Sequence, residues 1–186
     1  MGNGFIKNIS LLFVVYSLAL LNAWSAELSE DKDYTPLKNK QENVLYDFRG
    51  KTHDLTEYTG KGKWLIVMIW VSDCHVCNKE VKNYIEFHNK HKDKDATILG
   101  ISIDGWEKKK DALAFIDRHK VTFPNLIGSP EGVTELYAQL TGGFMVGTPT
   151  FLVFSPAGEL LAQQTGAVPV ETIEEFIQTQ SSAQGK

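Results

Sequence analysis

The stretch Trp64 to Val71, WLIVMIWV, is eight consecutive apolar residues rich in β-branched types, with the glycine turn Gly60-Lys61-Gly62-Lys63 before it. A run of that length bounded by turn signals predicts a strand buried on both faces, in the middle of a sheet covered by helices. The chain must therefore fold around this segment. Three residues further on stands its whole complement of thiols, in the tetrapeptide Cys74-His75-Val76-Cys77. Two cysteines cannot build a multi-bridge framework or fill a four-Cys zinc site, so thiol chemistry is confined to that one point.

The flanking pattern specifies how the strand is covered. From Val76 to His91 the residues Val81, Tyr84, Ile85 and His88 recur at helical spacing, and Cys77 shares their face. Thr97 to Ile103 reads as a second buried strand, and Glu107 to His119 as a helix with Leu113, Phe115 and Ile116 inward. Thr122 to Ile127 is a short extended piece and Glu131 to Leu140 is helical. Thr150 to Phe154 and Leu160 to Thr165 form a hairpin around Ser155-Pro156-Ala157-Gly158. A last helix begins near Pro169 with Ile173, Phe176 and Ile177 inward. The short run Val44 to Phe48 adds a strand at the start, and the other four histidines are expected at the surface. This order of elements predicts an α/β sandwich with a mixed sheet.

The first 43 residues read differently. Lys7 precedes an apolar core, Leu11 to Leu21, too short to span a bilayer, and small residues Ala23 and Ser25 follow it. Residues 1–25 are expected to be a signal peptide cleaved before Ala26, or a signal anchor if uncleaved. A polar lead-in occupies 26–43, the domain 44–180, and a tail 181–186. Such a chain is delivered to an exported compartment, where disulfide chemistry is possible. It would touch a membrane only through an uncleaved leader. The net charge of −4 gives no electrostatic reason to expect nucleic acid as a partner.

At the tetrapeptide, Cys74 lies where a central strand hands over to a helix. Its sulfur is expected at the helix N-terminus among unpaired N–H groups, which favour thiolate. Cys77 returns to nearly the same face one turn later. Cys74 is therefore read as the attacking thiol and Cys77 as the buried resolver, joined as a disulfide after each cycle. His75 and Asp73 would tune Cys74 in opposite directions. Glu80, three residues past Cys77, would direct a carboxylate toward the buried sulfur. Thr148-Pro149, at the entry to the TFLVF strand, is a site for a cis bond that offers the Thr148 backbone to an extended peptide. Trp70 is assigned with Thr148 and Pro149 to substrate binding. A zinc site would need a second paired motif, which His53, His88, His91 and His119 do not make, and haem attachment would need His where Asn78 stands. No metal or cofactor is expected.

Taken together, GKWLIVMIWVSDCHVCNKEV, GISIDG, TFPNLIG and VGTPTFLVFSPAGEL make the chain resemble the thioredoxin superfamily, within it the periplasmic or membrane-anchored TlpA and ResA group. The resemblance covers about Val44 to Ile177 and includes Glu80 in a Cys-x-x-Cys-x-x-Glu arrangement. It implies a thioredoxin fold, a central mixed sheet flanked by helices with an N-terminal extension. The implied activity is thiol-disulfide exchange on exported cysteine-containing proteins such as apocytochromes, most simply as a reductase fed by a membrane thiol electron donor. Asp73 stands where the group commonly has Trp, and Val81-Lys82 where a proline is frequent. His75 differs from the pairs typical of reducing members, leaving a net oxidant or isomerase as an alternative. A peroxiredoxin-like antioxidant enzyme would need Thr at Val71, and a copper-handling module would use Cys74, His75 and Cys77.

Overall fold

The computed structural model describes residues 44–184, so the leader and lead-in expected over 1–43 lie outside the described residues. A seven-stranded sheet runs β2 (Thr52–His53), β1 (Leu45–Tyr46), β5 (Asn125–Ile127), β4 (Ala96–Ser102), β3 (Trp64–Trp70), β6 (Thr150–Phe154), β7 (Leu160–Thr165) across its width. β3, β4 and β5 are parallel, and the pairs at either side are antiparallel, so the sheet is mixed. All seven residues of β3 are buried, as its unbroken apolar run requires.

Alternation along β3 divides the interior in two. Trp64, Ile66, Met68 and Trp70 face α1 (His75–His91), α2 (Lys109–His119) and α4 (Val170–Gln184), meeting Val81, Tyr84, Phe115, Ile173 and Ile177. Leu65, Val67 and Ile69 face the other way, toward Val133 and Tyr137 of α3 (Pro130–Thr141) and Leu55 of a short 3-10 turn. α3 starts on Ser129, whose Oγ accepts from the Gly132 N–H at 3.0 Å, and ends on Gly142 at φ 69°. No helix among the described residues is long and apolar enough to cross a membrane.

The structure corrects several sequence expectations. Leu113 is 40% exposed, and Ala112 with Phe115 forms the buried face of α2. The last helix continues to Gln184, past the domain end expected at residue 180. Trp70 is 1% exposed, so it is a core residue and not a substrate contact: its ring stacks on Phe115 and its Nε1–H donates to Asn125 Oδ1 at 3.0 Å.

His88 is buried too, as its place on the apolar face of α1 predicts and against the expectation that the histidines lie at the surface. Its Nδ1 accepts the Ile98 N–H at 3.2 Å, a bond only the unprotonated nitrogen can make. Burial above all, and Lys92 after it, hold its pKa below the usual 6.5, with Asp93 opposing. The unfolded chain therefore takes up this proton at a higher pH than the folded one. Stability from His88 is complete above about 6.5 and is lost as pH falls from there toward the lower folded value. Urea titrations from pH 7.5 to 5.5 should show that decline, and His88→Gln should reduce its slope. His119, also lowered mainly by burial, contributes in the same direction. An unchanged slope in the variant would exclude His88 as a source.

Candidate active site

Because β6 is antiparallel to β3, with Ile69 opposite Thr150, the start of β6 lies beside the end of β3. α1 begins at that same end, and so the Thr148 loop meets the first turn of α1. Cys74 is the N-cap residue of α1, in extended conformation, and its Sγ accepts the Cys77 N–H at 3.0 Å. The two sulfurs are bonded to each other, with Cα atoms 5.2 Å apart. Cys77 is fully buried against the α1 side of the sheet, and Cys74 is half-buried. No acidic residue lies in the first turn of α1 to offset its positive end. A reduced Cys74 therefore meets a helix N-terminus and a directed N–H, both of which lower the free energy of its thiolate.

The Thr148-Pro149 bond is cis, and Thr148 O lies 3.4 Å from Cys74 Sγ. Pro149 is buried, and its carbonyl accepts the Gly166 N–H at 2.8 Å. Thr150 Oγ1 donates to Gly147 O at 2.6 Å, which fixes the other side of the loop. Immediately before it, Phe144 and Val146 are 87% and 80% exposed, and Val76 between the cysteines is 38% exposed.

The remaining residues expected from the sequence are placed less simply. Asp73 and His75 are both exposed, one on either side of Cys74. The Glu80 carboxylate accepts from Asn83 Nδ2 at 3.1 Å and pairs with Lys79 at 3.6 Å. It lines a groove of about 550 Å³ between α1 and the start of α4, with Phe87, Lys90, Pro169 and Glu174. Its charge also contributes, after burial, to raising the Tyr84 pKa one turn further along α1.

Sequence reasoning missed the polar frame beneath Cys74. Asp104, 7% exposed, accepts the Ser72 N–H at 3.1 Å, Ser72 Oγ–H at 2.6 Å and Ser102 Oγ–H at 2.7 Å. It ties the end of β4 to the turn before the cysteines. Asn78, Arg118 and His119 make a second tie, from α2. A signal for Asp104 existed, since a polar residue just past the carboxyl end of a parallel strand is where open α/β sheets place function. Asn78 carries only a local hint, its position four residues after Cys74 on one helix face. Among the described residues no group of three or more His, Cys, Asp or Glu side chains could hold a metal ion.

A family model described as the AhpC/TSA family matches residues 36–163. The chain is 25% identical to the thiol-disulfide oxidoreductase ResA of Halalkalibacterium halodurans over 94% of this chain and 93% of that protein. It is 29% identical to ResA of Geobacillus kaustophilus over 73% of this chain and 72% of that one. Among solved structures it is similar to the thioredoxin domain of a thiol-disulfide oxidoreductase from Bacteroides vulgatus. There the TM-score is 0.59 and the identity 26%, over 72% of this chain and 91% of that one.

Proposed function

Because the chain belongs to the AhpC/TSA family and is a ResA-like thiol-disulfide oxidoreductase of the thioredoxin superfamily, we propose that it works in the periplasm as a reductase of exported cysteine-containing proteins, apocytochromes among them. The observation that carries the reading is the half-buried Cys74 at a helix N-terminus, bonded to a fully buried Cys77 and facing a backbone carbonyl across 3.4 Å. The surroundings favour a polypeptide substrate. Val76, between the cysteines, and Val146, two residues before Thr148, are exposed apolar residues, suited to apolar residues flanking a substrate cysteine.

In the reduced protein the Cys74 thiolate attacks one sulfur of a substrate disulfide. The substrate S–S bond breaks, its other sulfur leaves as thiolate, and a mixed disulfide joins Cys74 to the substrate. Cys77 loses its proton and attacks Cys74 Sγ, which releases the second substrate thiolate and leaves the Cys74–Cys77 bond. The substrate has gained two electrons and, from solvent, two protons. A membrane thiol donor returns the same number to the pair. Glu80 would serve as proton acceptor for Cys77 only after its carboxylate leaves Asn83 and Lys79.

Trapping tests the reading. A Cys77→Ser variant expressed with its leader should accumulate mixed disulfides through Cys74 with extracytoplasmic proteins, and alkylation of the parent in cells should find the pair mainly as dithiol. No adduct would count against exchange. A pair found mainly as disulfide would make the protein an oxidant. Peroxide consumption that survives Cys77→Ser, or copper(I) binding without turnover, would instead support the antioxidant or metal-handling alternatives.

A further inference from the structure

We propose that Asn78 is a positioning residue that fixes the Cys74 turn in its thiolate-stabilising shape and couples that turn to Arg118 and His119 of α2. The Asn78 Nδ2 group donates to Ser72 O and to Cys74 O, each at 2.9 Å. Its Oδ1 accepts from His119 Nε2–H at 2.9 Å and from Arg118 Nη1–H at 3.2 Å. Arg118 can only donate and the two carbonyls can only accept, so the orientation of the amide is dictated by chemistry and His119 must carry its proton on Nε2. Two donors and two acceptor sites are all that an Asn side chain has, and each is engaged.

The two carbonyls held by Asn78 flank Asp73 and the Cys74 backbone. Clamping them keeps the Cys77 N–H directed at Cys74 Sγ. It also neutralises two carbonyl dipoles whose negative ends would otherwise disfavour a thiolate at Cys74. The Arg118 charge polarises the amide in the same sense, drawing electron density toward Oδ1 and leaving the N–H end more positive. His119 is fixed in turn by its ring against Phe115, centroids 4.7 Å apart, and Phe115 stacks on Trp70 of β3. The other titratable groups around the turn are Asp73 and His75 in the chain itself and Asp104 through Ser72. The Thr148 loop contributes only its carbonyl.

The proposal rests on Cys74 being the attacking thiol of the exchange reaction. It is tested on the reduced full chain by the pH profile of iodoacetamide alkylation, with the modified cysteine identified by mass spectrometry. Asn78→Ala should move the Cys74 midpoint upward and slow alkylation below that midpoint by about three- to tenfold. Asn78→Asp, which keeps acceptors for Arg118 and His119 but has no N–H for the carbonyls, should move it at least as far. Arg118→Met, at an exposed position, should give a smaller shift in the same direction. A folded Asn78→Ala whose profile superposes on the parent's would overturn the clamp and leave exchange standing. A parent protein alkylated first at Cys77 would instead overturn the order of attack. If Asn78→Ala does not fold, Arg118→Met with His119→Gln decides the matter, because an unshifted midpoint there removes the coupling.

Discussion

Cys74→Ser should reduce thiol-disulfide exchange to the uncatalysed background, a loss on the order of 10³-fold or more, with the fold intact. Cys77→Ser should behave differently. It keeps a rapid first attack by Cys74, within a few-fold of the parent, but stops there with one substrate bound per chain. The asymmetry follows from burial and bonding. Cys77, on the buried face of α1, is fully enclosed in the core, while Cys74 is half-buried at the helix end with an N–H directed at its sulfur. A serine oxygen at residue 74 meets the same N–H but has a far higher pKa than a thiol and cannot form a disulfide. Stopped-flow reduction of a disulfide substrate, with adduct counted by mass, separates the two variants. Substantial turnover in Cys74→Ser would remove Cys74 from the chemistry.

Gly100→Ala should destabilise the protein by about 2–4 kcal/mol, from overpacking and a lost buried hydrogen bond. The Trp70 indole reaches from β3 over β4 to Asn125 on β5, and Gly100 is the residue it passes. A β-carbon there would overlap the Asn125 side chain and approach Trp70 Nε1 within 2.9 Å. In an unobstructed strand alanine would be the better residue, so the sign of the effect is diagnostic. The thermal midpoint should fall by roughly 10 °C, at about 2–4 °C per kcal/mol. Gly143→Ala, whose β-carbon would meet only Thr141 Oγ1 at 3.6 Å, should stay within about 0.5 kcal/mol. Equal effects at the two positions would dismiss the crossing indole as the cause.

What the sequence made legible follows from range. The apolar run of β3 and the hairpin around Ser155-Pro156-Ala157-Gly158 are local patterns, and the structure has both, the hairpin with its strand ends as expected. The strand-to-helix position of Cys74 follows from the order of elements, and the structure places it at the start of α1. The two-residue β2 carries too little pattern to be seen. The 3-10 turn Leu55–Glu57 has a local signal in its capping box, Asp54 with Glu57. Leu113 shows the limit of periodicity, whereas His88 lies on the face that periodicity marked and only its residue type argued for the surface. The ties made by Asp104 and Asn78 join residues 32 and 40 positions apart, and only the folded sheet brings those together.

Both residues enclosed by the cysteines stand in solvent: His75 is exposed and Val76 is 38% exposed, and neither belongs to the cores on the two faces of the sheet. The hydrogen bonds of Asp104 and Asn78 to Ser72 and Cys74 are made without either of these two side chains. Substitutions at residues 75 and 76 therefore change the surface beside the disulfide without removing a side chain from either core.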